Sequence, residues 1–503
     1  MKIYNLKIFK ENPGKRVVSR VFYYDLLTIL FILTVYCITL APTVYTLDSA
    51  EIATAAYSLG VMHAPGYVVH LLLLHLFLYL PVGDVGYRSN LFSAFATVGT
   101  VWLLLMLCRR IYQRCIPALV AGLSFGLCFY VWSVSVVAEV YTLQGCFLAA
   151  LLLLLWSWRR SGKTAYLAGS AAIQGLALVN NPATALWWPG LLVIGLATPR
   201  RHGLTLRQVA VISGMFILAL TPLLYLPVRS AETPEFVNVG AFDATGVFHP
   251  AELTNITGIL AYLSGKQFEP LLFSHLVNNF GPEILTFLRW LVAAFLGIGF
   301  PLGLWGIWEL WQHERSLTVG LLLIMGMHAL FFISYGAFDK ATMFLPVYLI
   351  WAVFIGAGVQ MLNHTISPRA AELMLLLPVA LLFFNAPFVN MRHAWEPAHT
   401  AQQRLASVPP SALYLARWGD ADIMRYYQIV EDIRPDVDIV NVFFTSYDTQ
   451  VYLINTALEQ QRPVYVSFSD EALFPFFRFV TVDHGYRLAP RKSNPLFLDQ
   501  NQE

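Results

Sequence analysis

About eleven apolar stretches, most close to twenty residues long, follow one another between positions 23 and 389, and no other feature limits the fold so sharply. They run at roughly 23–44, 88–108, 115–134, 142–158, 164–181, 183–198, 208–228, 288–311, 317–335, 341–361 and 371–389. About 20 apolar residues is the length an α-helix needs to cross the hydrocarbon core of a bilayer. In that solvent each backbone polar group must be satisfied within its own element, so such stretches are helices. Composition agrees: 57% of the 503 residues are hydrophobic and 12% are charged, more apolar surface than a soluble chain of this size hides. The chain reads as an α-helical polytopic membrane protein. Its first stretch is too long for a signal-peptide core and lacks a convincing cleavage site, so it reads as an uncleaved span.

Charge then sets the topology. The stretch 66–82 is ambiguous. If it spans, "RRIYQR" (Arg109 to Arg114) falls opposite the basic N-terminus. If it lies in the interface, Lys2, Lys7, Lys10, Lys15, Arg16, Arg20, "RRIYQR", "RRSGK" (159–163), "PRRHGLTLR" (199–207), Arg315 and Arg369 share one face. Such a cation bias marks the inner side. Segments 49–61 and 66–82 therefore read as helices lying along the outer membrane surface. A membrane domain over 1–389 then carries two outer loops, 45–87 and 229–287, and a tail, 390–503, forms a small outer-face α/β domain. In the tail, "ALYLARWGDADIMRYYQIVEDIRPDVDIVNV" reads strand, helix, strand, a βαβ unit with parallel pairing.

Several classes find no support. There is no GxGxxG, no Walker motif and no basic patch with interleaved aromatics, so neither a nucleotide nor a nucleic-acid partner is indicated. The five cysteines form no CxxC and read as small buried residues. No HxH or HExxH spacing exists, so the expected metal content is none. No internal repeat is visible, which counts against an inverted-repeat transporter.

Polar residues at the outer face stand out against this background. Asp48 and Glu51 follow the first span at a helix start, ~4.5 Å apart along its axis. They read either as a capping box, with Asp48 as N-cap, or as an acidic site at the bilayer surface. Glu139 marks the turn from the third span to the fourth, Asn180 and Asn181 close the fifth, Arg229 ends the seventh, and Lys266 follows in "YLSGKQF". His63 and His249 read as loop histidines, and Asp420, Asp422 and Asp436 as turn and cap residues. Singly, each has a bland explanation: a cap, a water-facing turn, a helix-end amide, a snorkelling arginine. Together, acids, amides and cations at one depth suit a lipid-borne phosphate, which arginine forks match, with a carboxylate nearby to take a proton.

The stretches "APTVYTLDSAEIATAAYSLGVMHAPGY", "YRSNLFSA", "VVAEVYTLQ", "YLPVRSAETPEFVNVGAF", "YLSGKQF", "WGDADIMRYY" and "IRPDVDIVNV" resemble the GT-C membrane glycosyltransferases. More narrowly, they resemble the "protein of unknown function" family of the dolichyl-phosphate-mannose protein O-mannosyltransferase clan. Two positions depart from that pattern: Ala50 where glycine is common, and Asn180 beside Asn181 where a histidine often stands. The resemblance implies a catalytic Asp48 assisted by Glu51, with His63, Arg88, Glu139, Tyr141, Asn180, Asn181, Arg229 and Lys266 binding substrate. It implies a polyprenyl-phosphate sugar as donor, a protein, lipid or glycan hydroxyl as acceptor, transfer with inversion on the outer or lumenal face, and no cofactor. The membrane is then the plasma or inner membrane, or the endoplasmic reticulum. A transporter or flippase of lipid-linked saccharides is the alternative; it asks for polar residues near span centres, which most spans here lack.

Overall fold

Each of these apolar stretches is helical in the computed structural model, which describes residues 15–197, 203–276 and 279–491, with only the backbone of 15–22. Lys2, Lys7, Lys10, Arg200 and Arg201 lie outside the described residues. α1 (Lys15–Thr39) leads to two short helices, α2 (Asp48–Ser58) and α3 (Val68–Phe77). Then come α4 (Val85–Tyr112), α5 (Cys115–Gly126), α6 (Phe129–Ser135), α7 (Tyr141–Ser161), α8 (Thr164–Asn180) and, after a 3₁₀ turn at Pro182–Trp187, α9 (Trp188–Leu196). α10 (Leu206–Ala219) and α11 (Tyr225–Ala231) run into the second outer loop, which holds the hairpin β1 (Gly240–Phe242) and β2 (Phe248–Pro250) and then α12 (Ile256–Leu263). α13 (Phe280–Ala294), α14 (Gly299–His313), α15 (Arg315–Ser334), α16 (Leu345–Thr365), α17 (Pro368–Leu373) and α18 (Leu376–Val389) complete the bundle.

Among the described residues six helices are long and apolar enough to cross a membrane, or eight if each bent pair counts as one span. The bent pairs correct two expected straight spans. Segment 115–134 breaks by 60° between α5 and α6, and 288–311 breaks by 94° between α13 and α14. A break in lipid frees carbonyls, and at the first bend neighbouring helices satisfy them. Tyr36 donates to the Gly126 carbonyl (2.6 Å) and Asn385 to that of Leu127 (2.8 Å). At the sharper bend Gly297 takes φ +74° and the turn's own backbone meets the freed carbonyls, Val292 accepting from the Gly297 N–H (2.9 Å) and Phe295 from that of Gly299 (3.0 Å).

The two ends of the bundle carry different elements. At one end Arg159 and Arg160 both meet Glu314, at 3.2 and 2.7 Å, joining α7 to the α14–α15 junction. The other end carries the loops after α1 and α11 and the tail. There, β3 (Leu413–Ala416), α20 (Trp418–Glu431, following α19, Glu396–Ser407) and β4 (Asp438–Asn441) form the expected βαβ unit. β5 (Val464–Val466), reached through α21 (Tyr447–Glu459), also runs parallel to β3; β6 (Phe477–Val482) and β7 (Gly485–Pro490) add an antiparallel edge. The order is β4-β3-β5-β7-β6.

The first outer helix is not a surface helix. From Ser49 to Ala56 every residue of α2 is buried, because α4 packs on one side and α20 on the other. Four alanines, Ala50, Ala53, Ala55 and Ala56, let both neighbours approach. The tail thus roofs the first loop.

Candidate active site

The capping box does not form. Leu47, at φ 57°, is the N-cap and makes no side-chain bond, so Asp48 is the first helical residue and its carboxylate is free of the backbone. Glu51, one turn on, is fully buried. Its Oε1 accepts the His63 N–H at 2.6 Å and its Oε2 lies 2.7 Å from His63 Nδ1. His63 Nε2 stands 3.9 Å from Asp48 Oδ2, so the imidazole bridges the two acids. The rings of Tyr67, Phe268 and Trp418 box His63 in edge-on, with centroids at 5.6, 5.6 and 5.5 Å. The Pro-Gly after His63 turns the chain there. Gly66 adopts φ +99°, and a Cβ on it would meet the Tyr262 ring at 2.5 Å.

Electrostatics give the acids different states. Burial alone would lower the His63 pKa, but the carboxylates of Glu51 and then Asp48 outweigh it and hold the imidazolium at about 10. Burial pushes Asp48 up to about 6; the His63 charge opposes this, and Glu51 and Asp339 add to it. Glu139 is held well above the usual carboxylate range by burial and then by Asp48. Asp339, in the loop after α15, is raised by burial too. Asp48 keeps 22% of its side chain accessible, to a cavity of about 570 Å³. One wall is apolar, with Leu263, Leu271, Leu272, Phe331 and Phe332; Asp48, His63 and Asp339 stand on the rest. No arginine or lysine lines it among the described residues.

The residues singled out from sequence divide. Asp48, His63, Tyr141 and Asn181 line the cavity, and Glu139 lies close enough to Asp48 for their charges to interact. Lys266 is exposed at its rim, between the lining residues Gly265 and Phe268. Arg88, Asn180 and Arg229 are committed elsewhere. Arg88 donates to the carbonyls of Asp84, Leu78 and Leu80, closing the turn before α4. Asn180 accepts the His70 N–H at 2.8 Å. Arg229 donates to the carbonyls of Leu59 (2.7 Å) and Ser58 (3.3 Å) at the end of α2 and pairs with Glu232, so a free carbonyl cluster captured the fork expected for phosphate. Arg229→Ala is therefore expected to lower stability by about 1.5–3 kcal/mol, the range for charged hydrogen bonds. Thermal unfolding of wild type and variant checks this; unchanged stability would mean that the fork is free to bind a ligand.

Sequence reasoning passed over the tail's part. Asp420 pairs with Arg404 at 2.5 Å and Asp436 with Arg434 at 2.7 Å, as cap and turn residues do. Asp422 does neither. It is wholly buried against α2, takes one bond from Asn238 Nδ2 (3.2 Å), and has a second oxygen without a partner. Burial, and next the Glu51 charge, hold its pKa well up. Trp418 brings its indole N–H beside Asp48, where it favours the ionised carboxylate. The one available signal was the crowding of acids and aromatics in "WGDADIMRYY".

Asp48, Glu51 and His63 also offer ligand atoms within 4.8 Å of one another, enough to hold a divalent ion. Sequence spacing missed this set because the histidine comes from a loop and the acids from a helix.

The helical membrane bundle with its roofing α/β domain has the GT-C fold of the solved structures on which it superposes. The chain superposes on ArnT from Cupriavidus metallidurans bound to undecaprenyl phosphate with a TM-score of 0.62 at 13% identity, covering 93% of this chain and 97% of that one. The apo form gives 0.58 at 13% identity, with 93% and 98% covered. Residues 48–202 match the family model of the Protein O-mannosyl-transferase TMEM260 N-terminal domain. The mouse (Mus musculus) protein O-mannosyl-transferase TMEM260 is 25% identical over 447 residues, 82% of this chain; the chain spans 62% of the length of that relative.

Proposed function

We propose that this protein is a membrane glycosyltransferase that moves a sugar from a polyprenyl-phosphate donor to an acceptor hydroxyl. The observation that carries the reading is the Asp48 carboxylate, pKa about 6, facing an apolar groove beside a buried imidazolium. Two likenesses support it: the mouse relative is a protein O-mannosyl-transferase, and the ArnT structure holds undecaprenyl phosphate.

The lipid chain lies along Leu263, Leu271, Leu272, Phe331 and Phe332, with the sugar at Tyr141, Asn181 and Trp418. Asp48 takes the acceptor hydroxyl's proton. The oxygen attacks the anomeric carbon, the bond from that carbon to the phosphate oxygen breaks on the opposite face, and the lipid phosphate leaves with the electron pair. In-line displacement inverts the anomeric carbon. The leaving phosphate needs positive charge rather than a proton; His63 supplies it within the cavity and Lys266 at the rim. Glu51 fixes the imidazole. Site and tail face the outer or lumenal side, and the acceptor is a protein, lipid or glycan.

No metal is required in this scheme, so activity is expected to survive exhaustive chelation. Loss with EDTA and recovery with one divalent ion would make Asp48, Glu51 and His63 its ligands, an ion supplying the charge assigned to the imidazolium. The direct test incubates purified protein in lipid with a panel of polyprenyl-phosphate sugars and acceptor. Acceptor-dependent release of polyprenyl phosphate is expected from the wild type. No release with any member of the panel overturns the proposal.

A further inference from the structure

The cavity beside Asp48 carries a second carboxylate to which the transfer scheme gives no work. Asp339 lies in the loop between α15 and α16, on the cavity wall and half-buried there. Its charge acts on Asp48, Glu139 and Tyr141, so it stands beside the space where the sugar is placed. Its carboxylate accepts from its own backbone N–H and has no other hydrogen-bond or ion-pair partner among the described residues.

The lysine next to it in sequence does not neutralise it. Lys340 is 3% exposed, and its Nζ donates to the carbonyls of Tyr335 (2.7 Å) and Ile333 (3.2 Å), where α15 ends. The same nitrogen pairs with Glu283 Oε2 at 2.9 Å and lies 3.1 Å from His275 Nδ1. An ammonium has three N–H donors, and these four acceptors use them all. The other nearby cation, the His63 imidazolium, lies between Glu51 and Asp48. Asp339 is therefore left as an acceptor that nothing in the chain claims. A carboxylate shut off from water without a donor is destabilising. When substrate fills the cavity and displaces water, the donor has to come from the substrate.

We infer that Asp339 determines sugar specificity, its carboxylate accepting hydrogen bonds from ring hydroxyls of the lipid-linked donor sugar. The other parts of the substrates do not suit it. A polyprenyl chain has no N–H or O–H, the phosphate is itself an anionic acceptor, and the acceptor hydroxyl gives its proton to Asp48. A site built to bond a hydroxyl rejects the analogue that lacks it, because the group that met it is left unpaired. The inference rests on the transferase reading. It adds a specificity role to that reading and leaves Asp48 as the base.

The test uses full-length protein in lipid, the polyprenyl-phosphate sugar that wild type uses fastest among the panel, and the monodeoxy analogues of that donor. For wild type, removing the hydroxyl that meets Asp339 is expected to lower kcat/KM about 10–150-fold, the value of one hydrogen bond to a charged group. Asp339→Ala should lose about the same factor on the complete sugar and lose nothing further on that one analogue. Comparing the two proteins on each donor cancels any change in the sugar's intrinsic reactivity. Asp339→Asn keeps the shape and an acceptor oxygen without the charge, so its loss should be smaller; it carries the same comparison if the alanine variant unfolds. Wild-type kcat/KM in both variants overturns the inference. So does an equal loss on the complete sugar and on every monodeoxy donor, which would make Asp339 a base or a loop support. No release by wild type from any donor is a different failure, since it removes the transferase reading and this inference with it.

Discussion

Asp48→Asn is expected to give a folded protein that still binds its lipid donor and transfers sugar about 10²–10⁴-fold more slowly, the usual effect of removing a general base. The structure makes the substitution a clean one. Asp48 caps no helix, so the amide loses no backbone bond, and it sits at the edge of the buried cluster with 22% of its side chain accessible. The pH profile gives a second readout. A base works only when ionised, so the wild-type rate should rise with pH through about 6, where burial has placed the Asp48 carboxyl. The His63 imidazolium should sustain it until pH nears about 10. The measurement is initial rate of polyprenyl phosphate release against pH for both proteins. If Asp48→Asn works near the normal rate with the same acid limb, another carboxylate is the base, and Asp339 is the next on the cavity wall.

His63→Ala should be the most destabilising single change in the cluster. Glu51 is 0% exposed and its Oε2 pairs with the imidazole, which is 7% exposed. Removing the ring leaves a buried carboxylate without its counter-charge, a loss of about 3–5 kcal/mol in comparable cases. Adding Glu51→Leu to His63→Ala removes the stranded charge and should recover more than half of that stability, while activity stays lost. Thermal unfolding of the two single variants and the double separates the roles. The sign with pH follows from the raised histidine. Its pKa moves from an ordinary 6.5 to about 10 on folding, so the pairing stabilises fully below about pH 6.5 and the benefit is lost as pH climbs towards 10. The gap between wild type and His63→Ala should narrow over that range. A gap that is constant with pH would mean the ring acts by packing alone.

The amino-acid sequence by itself determined where the helices are, that a βαβ unit follows them, and that acids gather just after the first span. These are local properties: apolar runs of bilayer length, alternation in "VDIVNV", a carboxylate at a span end. The GT-C likeness was legible as a resemblance, carried by stretches such as "APTVYTLDSAEIATAAYSLGVMHAPGY" just after the first span. What each polar side chain does was not local. Asp48 and Glu51 look like one capping pair, yet one faces a cavity and the other is locked to a histidine 12 residues on. Arg229 was read as a phosphate fork, and the end of α2, 170 residues earlier, took it. Asp422 and Trp418 read as parts of a separate domain, and the packing of α20 over α2 puts them at the site. A buried charge or free carbonyl must find a partner, and which partner is within reach is fixed only when distant segments pack. Sequence shows that a residue is polar and near the surface of the bilayer; tertiary structure alone decides whether its bonding capacity is already used or left for a substrate.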